Sequence, residues 1–382
     1  MRAYRTEIAP NVTQRSALMS HSAAARKAYN WALARRQSAW EADKTRVTLS
    51  ELQSAFRKMK ASDPDWQWML ALTDRATEMA IRNLDTAFGN FYRRVARGEP
   101  PGYPKFKAAA KCRRSFQLII GPAHVRGDRI RLAKIGWVRL KERYYLPTDL
   151  AKANITATVS ETAGRWFVSI VCPRAEAPPP AREGPALGVH LGIRSLAVCS
   201  DGARFENPKA LEAAQQRLAG LQRKLARAMK GSARRKLLVR RAQIMHYRIT
   251  CVRQDAAHRA TTEITRRPVG EIVLEDWATK RMIEKAADDK QPWLSRGLSD
   301  LAPFEVRRQI EYKAEWAGVR SRRAPAGYPS TQRCSMCGGI NPAMTLAVQR
   351  FSCPTCGHAE DREANAARNL LAAPAEETND AS

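Results

Sequence analysis

Apolar positions between residues 13 and 97 recur at helical spacing. Thr77, Ile81, Leu84, Phe88, Phe91 and Val95 alternate steps of four and three, and that stripe predicts one buried helix face. An earlier helix is expected to start at Thr48, whose hydroxyl can cap while Glu51 reaches back, with Leu52, Phe56 and Met59 on the buried side. Gly98 and Pro100-Pro101-Gly102 stop helix formation. From 103 to 174 the period shortens, and Ser115–Ile120, Ile130–Leu132, Trp137–Leu140 and Arg165–Val171 read as strands. The turn at Glu161-Thr162-Ala163-Gly164 joins the last pair, which predicts a small β-barrel or sandwich. Three consecutive prolines make 175–186 a semi-rigid linker. Beyond it, Leu187–Leu191 and Leu196–Cys199, a long basic helical stretch and Glu271–Glu275 have the order of an α/β domain.

Charge sharpens this picture. The 382 residues carry 66 Lys and Arg against 37 Asp and Glu, a net charge of +29. A compact fold with that surplus repels itself unless a polyanion is bound, and nucleic acid is the commonest such partner. With 44% hydrophobic residues the chain has enough apolar surface for two or three cores. The sequence shows no signal-peptide core and no run of about eighteen apolar residues, so a cytoplasmic, nucleoid-associated protein without a membrane partner is expected.

Four of the eight cysteines are scattered, and the other four form Cys334-x-x-Cys337 and Cys353-x-x-Cys356. That spacing is a zinc ribbon's, in which two knuckles each give two thiolates to one tetrahedral ion. Four thiolates leave no open position, so this Zn²⁺ is expected to be structural. Basic residues cluster twice. Lys105, Lys107, Arg113 and Arg114 accompany aromatics in one segment, and Arg223, Lys224, Arg227, Arg234, Arg235, Arg240 and Arg241 line the long helical stretch. Both are candidate nucleic-acid-binding surfaces, because a helix with so few carboxylates gains relief from a phosphate backbone.

Three strings then stand in order: Leu187-Gly-Val-His-Leu-Gly-Ile-Arg-Ser-Leu-Ala197, Ile272-Val-Leu-Glu-Asp-Trp277 and Asp361-Arg-Glu-Ala-Asn-Ala-Ala-Arg-Asn-Leu-Leu371. Together they resemble the split RuvC motifs of the TnpB (OrfB) family of insertion-sequence proteins, relatives of miniature type V CRISPR effectors. Pro104-Lys-Phe-Lys107, Lys134–Leu140 and Pro329–Gly338 look like further family landmarks. The resemblance implies a multidomain α+β protein: a wedge β-barrel over 1–12 and 98–174 holding a helical recognition insert over 13–97, then the linker. It further implies an RNase H-like RuvC domain over 187–329 and 359–371 with a basic insert at about 209–265. A target-binding zinc ribbon over 330–358 interrupts that domain, and a flexible tail covers 372–382. Its implied partners are a guide RNA and double-stranded DNA beside a short adjacent motif. A monomer is the expected state, with a dimer as the alternative.

One departure governs the expected function. RuvC cleavage uses carboxylates converging on two Mg²⁺ ions. The family pattern has Asp where this chain has His190, keeps Glu275, and has Asp where this chain has Glu363. Neutral imidazole offers a hard cation one nitrogen and no charge, and the longer Glu363 arm displaces its carboxylate. Mg²⁺ is therefore not expected to bind productively. Asp201, Asp276 and Asp361 are nearby acids read as turn, opposite-face and supporting residues. The chain resembles TnpB-like nuclease-dead repressors, which occupy a guided target and block transcription. The alternative is an active RNA-guided endonuclease with an atypical metal site.

Overall fold

The structure is a computed structural model and describes residues 2–148, 155–173, 179–276, 279–345 and 348–374. The chain divides into two compact units, Met1–Ala175 and Glu176–Ser382.

The first unit begins with β1 (Arg2–Ala9) and α1 (Val12–Asp43). Asn11 caps α1 through a reciprocal pair with Gln14, so two orphan N–H groups are satisfied at once. The same device, Thr48 with Glu51, starts α2 (Leu49–Ser62) as the sequence predicts. A short α3 (Pro64–Gln67) leads to α4 (Asp74–Ala96). The α4 stripe buries Thr77, Ile81, Leu84 and Phe88, while Val95, on the last turn, is 53% exposed because the helix there has run past the core.

Six further strands follow: β2 (Ser115–Ile120), β3 (Val125–Arg126), β4 (Arg129–Leu132), β5 (Gly136–Leu140), β6 (Ile155–Thr162) and β7 (Arg165–Cys172). They join β1 in one antiparallel sheet of order β2-β6-β7-β1-β5-β4-β3. The four helices are thus inserted between two strands of one sheet. The expected barrel is not closed: among the described residues the ladder ends at β2 and β3. Helices cover the β2 edge instead, with Asn83 of α4 donating to Gln117 and His21 of α1 stacked on Phe116, and β3 is only two residues long.

The second unit is built on a five-stranded mixed sheet. Its strands are β8 (Ala186–Leu191), β9 (Ser195–Cys199), β10 (Arg204–Glu206), β11 (Glu271–Leu274) and β12 (Arg320–Arg323), in the order β10-β9-β8-β11-β12. Between β10 and β11 stand the long helices α5 (Ala210–Arg227) and α6 (Ala233–Arg266). Between β11 and β12 come α7 (Thr279–Asp288), α8 (Pro292–Leu301) and α9 (Pro303–Ala317). A hairpin of β13 (Arg350–Ser352) and β14 (Ala359–Asp361) precedes α10 (Arg362–Asn369).

The sheet has two unlike faces. Leu187, Val189, Leu191, Ile272 and Leu274 pack with Ala257, Ile264, Val306 and Ile310 of α6 and α9. Strand alternation turns Gly188, His190 and Val273 to the other face, where Val273 packs with Leu370 just past α10. A β-carbon at Gly188 would stand 2.0 Å from the Ala367 carbonyl oxygen, so only glycine lets α10 approach this closely. The linker expected over 175–186 is described from 179 onward and gives way to β8 at Ala186; its first residues, and the tail from 375, lie outside the described residues. No helix is long and apolar enough to cross a membrane, among the described residues.

Candidate functional site

Strands β8 and β11 run parallel with Leu274 beside Val189. One step further along both chains come Glu275 and His190, both on the α10 face, and the His190 Nδ1 lies 3.0 Å from Glu275 Oε2. Ser330 donates its hydroxyl to the other oxygen, Glu275 Oε1. Burial of the imidazole opposes protonation, but Glu275 and, more weakly, Glu363 outweigh it and raise the His190 pKa above its ordinary value.

Glu363 enters from the first turn of α10. Its Oε2 accepts from the Ser195 hydroxyl at 2.6 Å and faces Arg204 Nη1 at 3.4 Å. The carboxylate lies over Gly192, where a β-carbon would meet Glu363 Oε1 at 2.5 Å. Asp361 caps α10 by accepting from the N–H groups of Glu363 and Ala364, and pairs with Arg204 at 2.5 Å. Burial would raise its pKa, but Arg204 and the Ala364 N–H hold it below the usual carboxylate value. The other two nearby acids are engaged elsewhere, Asp276 with Arg307 and Asp201 with Arg267.

His190, Glu275 and Glu363 therefore occupy one cleft, yet protein donors meet each carboxylate. This is a poor Mg²⁺ site: an imidazole abuts Glu275, a guanidinium and a hydroxyl engage Glu363, and a hard divalent cation needs several free anionic oxygens. His190, Glu275 and Glu363 line a cavity of about 630 Å³, walled further by Met282, Trp293, Leu298 and Tyr328.

The cysteines behave differently. The four Sγ atoms of Cys334, Cys337, Cys353 and Cys356 lie within 4.8 Å of one another. Cys334 and Cys356 are 3.7 Å apart and Cys337 and Cys353 3.5 Å, close to the edge of a tetrahedron with Zn–S bonds of about 2.3 Å. Each Cys-x-x-Cys knuckle sits on a matching turn, Gly338 N–H to Cys334 O and Gly357 N–H to Cys353 O, with positive φ at both glycines. These residues fit one tetrahedral Zn²⁺ that would fold the ribbon. Outside the ligand set, Ser335 donates to Glu360 at 2.6 Å, and His358 Nε2 is 3.0 Å from the same oxygen.

The predicted basic residues fall at several places. Lys105 is exposed. The Lys107 amine lies 3.6 Å from the centre of the Tyr29 ring, and burial lowers its pKa. Arg113 donates to Ser160 and Thr162, and Arg114 pairs with Glu161 at 2.7 Å. Arg223, Lys224 and Arg227 lie on α5 and Arg234, Arg240 and Arg241 on α6, all exposed. Arg235 is different: its guanidinium caps α5 through the carbonyls of Leu225 and Ala228. Sequence reasoning gave no role to Ser195, Ser330 and Arg204, although Ser195 lies inside the first RuvC string and Ser330 inside the Pro329–Gly338 landmark; Arg204 had no signal.

Family models match three stretches: "Helix-turn-helix domain" over 1–45, "Probable transposase" over 169–286 and "Cas12f1-like, TNB domain" over 304–370. The chain is 32% identical over 373 residues to a "Putative RNA-guided DNA endonuclease" of Streptomyces pristinaespiralis, covering 97% of this chain and 89% of that one. The chain belongs to the TnpB (OrfB) family. Within the family it is also 30% identical to "Putative RNA-guided DNA endonuclease InsQ" of Escherichia coli, over 98% of this chain and 92% of that one. A cryo-EM structure of a Cas12f1–sgRNA–target DNA complex is a looser likeness, with TM-score 0.35 and 14% identity over 97% of this chain and 98% of that one. In this TnpB-family chain the stretch matched as helix-turn-helix is β1 followed by the single long helix α1.

Proposed function

We propose that this TnpB-family chain is an RNA-guided DNA-binding protein that does not cut its target and acts by occupying it, as a transcriptional repressor. A guide RNA supplies sequence recognition, and the protein supplies the duplex-adjacent contact and the grip on phosphates. In this reading the first unit is the wedge with its recognition helices. The second is the RuvC-like body carrying the target-binding ribbon. The observation that carries the loss of cleavage is the His190–Glu275 contact at 3.0 Å, where imidazole stands in the place of a metal-binding carboxylate. The names of its relatives favour a second reading, an active endonuclease with an atypical metal site.

The test is to express the chain with its flanking genomic region, sequence the co-purifying RNA and incubate the complex with matching plasmid in Mg²⁺ and in Mn²⁺. Retarded, uncut DNA is the expected result. Nicked or linear product that disappears in Glu275→Gln establishes the second reading instead.

A further inference from the structure

Helices α5 and α6 form a hairpin whose turn is fastened by Arg235. No Asp or Glu occurs between Glu212 and Asp255, so the hairpin carries carboxylates only at its base. Along its seam runs an open concavity of about 540 Å³, within the size range of small-ligand sites. Four cations line it, Arg217 and Lys224 from α5 and Arg241 and Arg248 from α6, and none of them makes an ion pair among the described residues. On each helix the two are seven residues apart, which is two turns and puts both on the same side. The bottom is apolar, formed by half-buried Leu221 and Ile244, with Gly220 leaving room: a β-carbon there meets nothing within 4 Å.

A plain phosphate rail would not need an apolar bottom, and a plain hydrophobic seam would not be ringed by four unpaired cations. We infer that this groove seats one unpaired nucleotide of a structured RNA, its base on the Leu221–Ile244 bottom and its flanking phosphates on the four cations. A DNA duplex keeps its bases stacked inside, whereas RNA loops and bulges display splayed-out bases that bind apolar and guanidinium surfaces. The inference rests on the RNA-binding reading above and adds a seat for that RNA, including Arg217 and Arg248.

The test uses the full chain with its co-purified RNA species, transcribed anew and titrated at several salt concentrations. Arg217→Gln with Arg241→Gln should weaken binding at least tenfold and flatten the log–log salt slope by about 1.4, from two lost phosphate contacts on a single strand. Lys236→Gln with Arg259→Gln removes equal charge from α6 outside the groove and should cost less than threefold. Gly220→Phe, placed in open space on a helix, should weaken binding with the salt slope unchanged. Equal losses from the two charge pairs, or wild-type affinity in Gly220→Phe, overturn the groove while leaving RNA binding intact. Absence of any defined RNA on the wild-type protein is a separate result that overturns the reading beneath it.

Discussion

In the proposed reading His190 stands where the family pattern has a carboxylate, and its imidazole abuts Glu275 at 3.0 Å. Putting Asp there would bury a second anion against Glu275, which costs several kcal/mol without a compensating cation. His190→Asp should therefore lower the thermal midpoint, and Mg²⁺ or Mn²⁺ should restore part of it, by about 2.7 kcal/mol at a hundredfold excess over Kd. The wild-type midpoint should not move with either ion; a wild-type shift of similar size would refute the loss of the metal site. The identities of His190, Glu275 and Glu363 were legible in the sequence because each sits in a recognisable string. Their partners Ser195, Ser330 and Arg204 were not, since long-range pairing brings them together. Lys313 offers a pH test away from this cleft. Its amine donates to His258 O and the hydroxyls of Thr261 and Thr262, and burial lowers its pKa to about 8. The unfolded chain then binds the proton more tightly, so the cost is complete below pH 8 and fades as pH rises towards 10.5. Denaturant midpoints of wild type against Lys313→Gln should diverge in favour of the wild type as pH rises from about 8 to 10.5; parallel curves would contradict this.

Among the elements, α10 joins the His190–Glu275–Glu363 cleft to the ribbon. Asn365 donates to Arg333 O and accepts from Ser335 N, and Asn369 donates to Ser330 O and Arg333 O, both side chains being buried. These bonds hold the segment carrying both Ser330 and the first zinc knuckle. Asn365→Ala leaves the half-buried Ser335 N–H unpaired, while Arg333 O keeps Asn369, and should cost about 1 kcal/mol, read as faster zinc release to a chelator. Unchanged release would show that the ribbon is held otherwise. Cys334→Ser should unfold the ribbon locally and weaken target loading, with the circular dichroism of the α1–α4 helices retained. At this scale the helices of 13–97 and of the basic stretch were legible from periodicity and the Thr48 cap, and half of the strands from short apolar runs, whereas α7 to α10 were not read. β12 was not, because Arg320-Ser321-Arg322-Arg323 has no apolar residue and pairs only through its backbone and ion pairs such as Arg322 with Glu271. The barrel expectation failed for a related reason: strand count is legible in a sequence, while closure depends on what covers the edge, here α1 and α4 at β2.

For the molecule as a whole, the +29 charge sets the response to salt. Affinity for RNA or target should fall steeply between about 50 and 200 mM salt, with log K linear in log salt, as counterions return to freed phosphates. A flat profile would mean that the surplus charge lies away from the bound nucleic acid. The stretch of the α5–α6 hairpin between Glu212 and Asp255, which has no carboxylate, extends this to supply and demand in the cell. Without its polyanion the hairpin is a column of like charges that opens more readily, and transient opening is what a protease samples. A cell that stops transcribing the guide should thus lose the protein as well, which would keep the two in proportion with no dedicated control circuit.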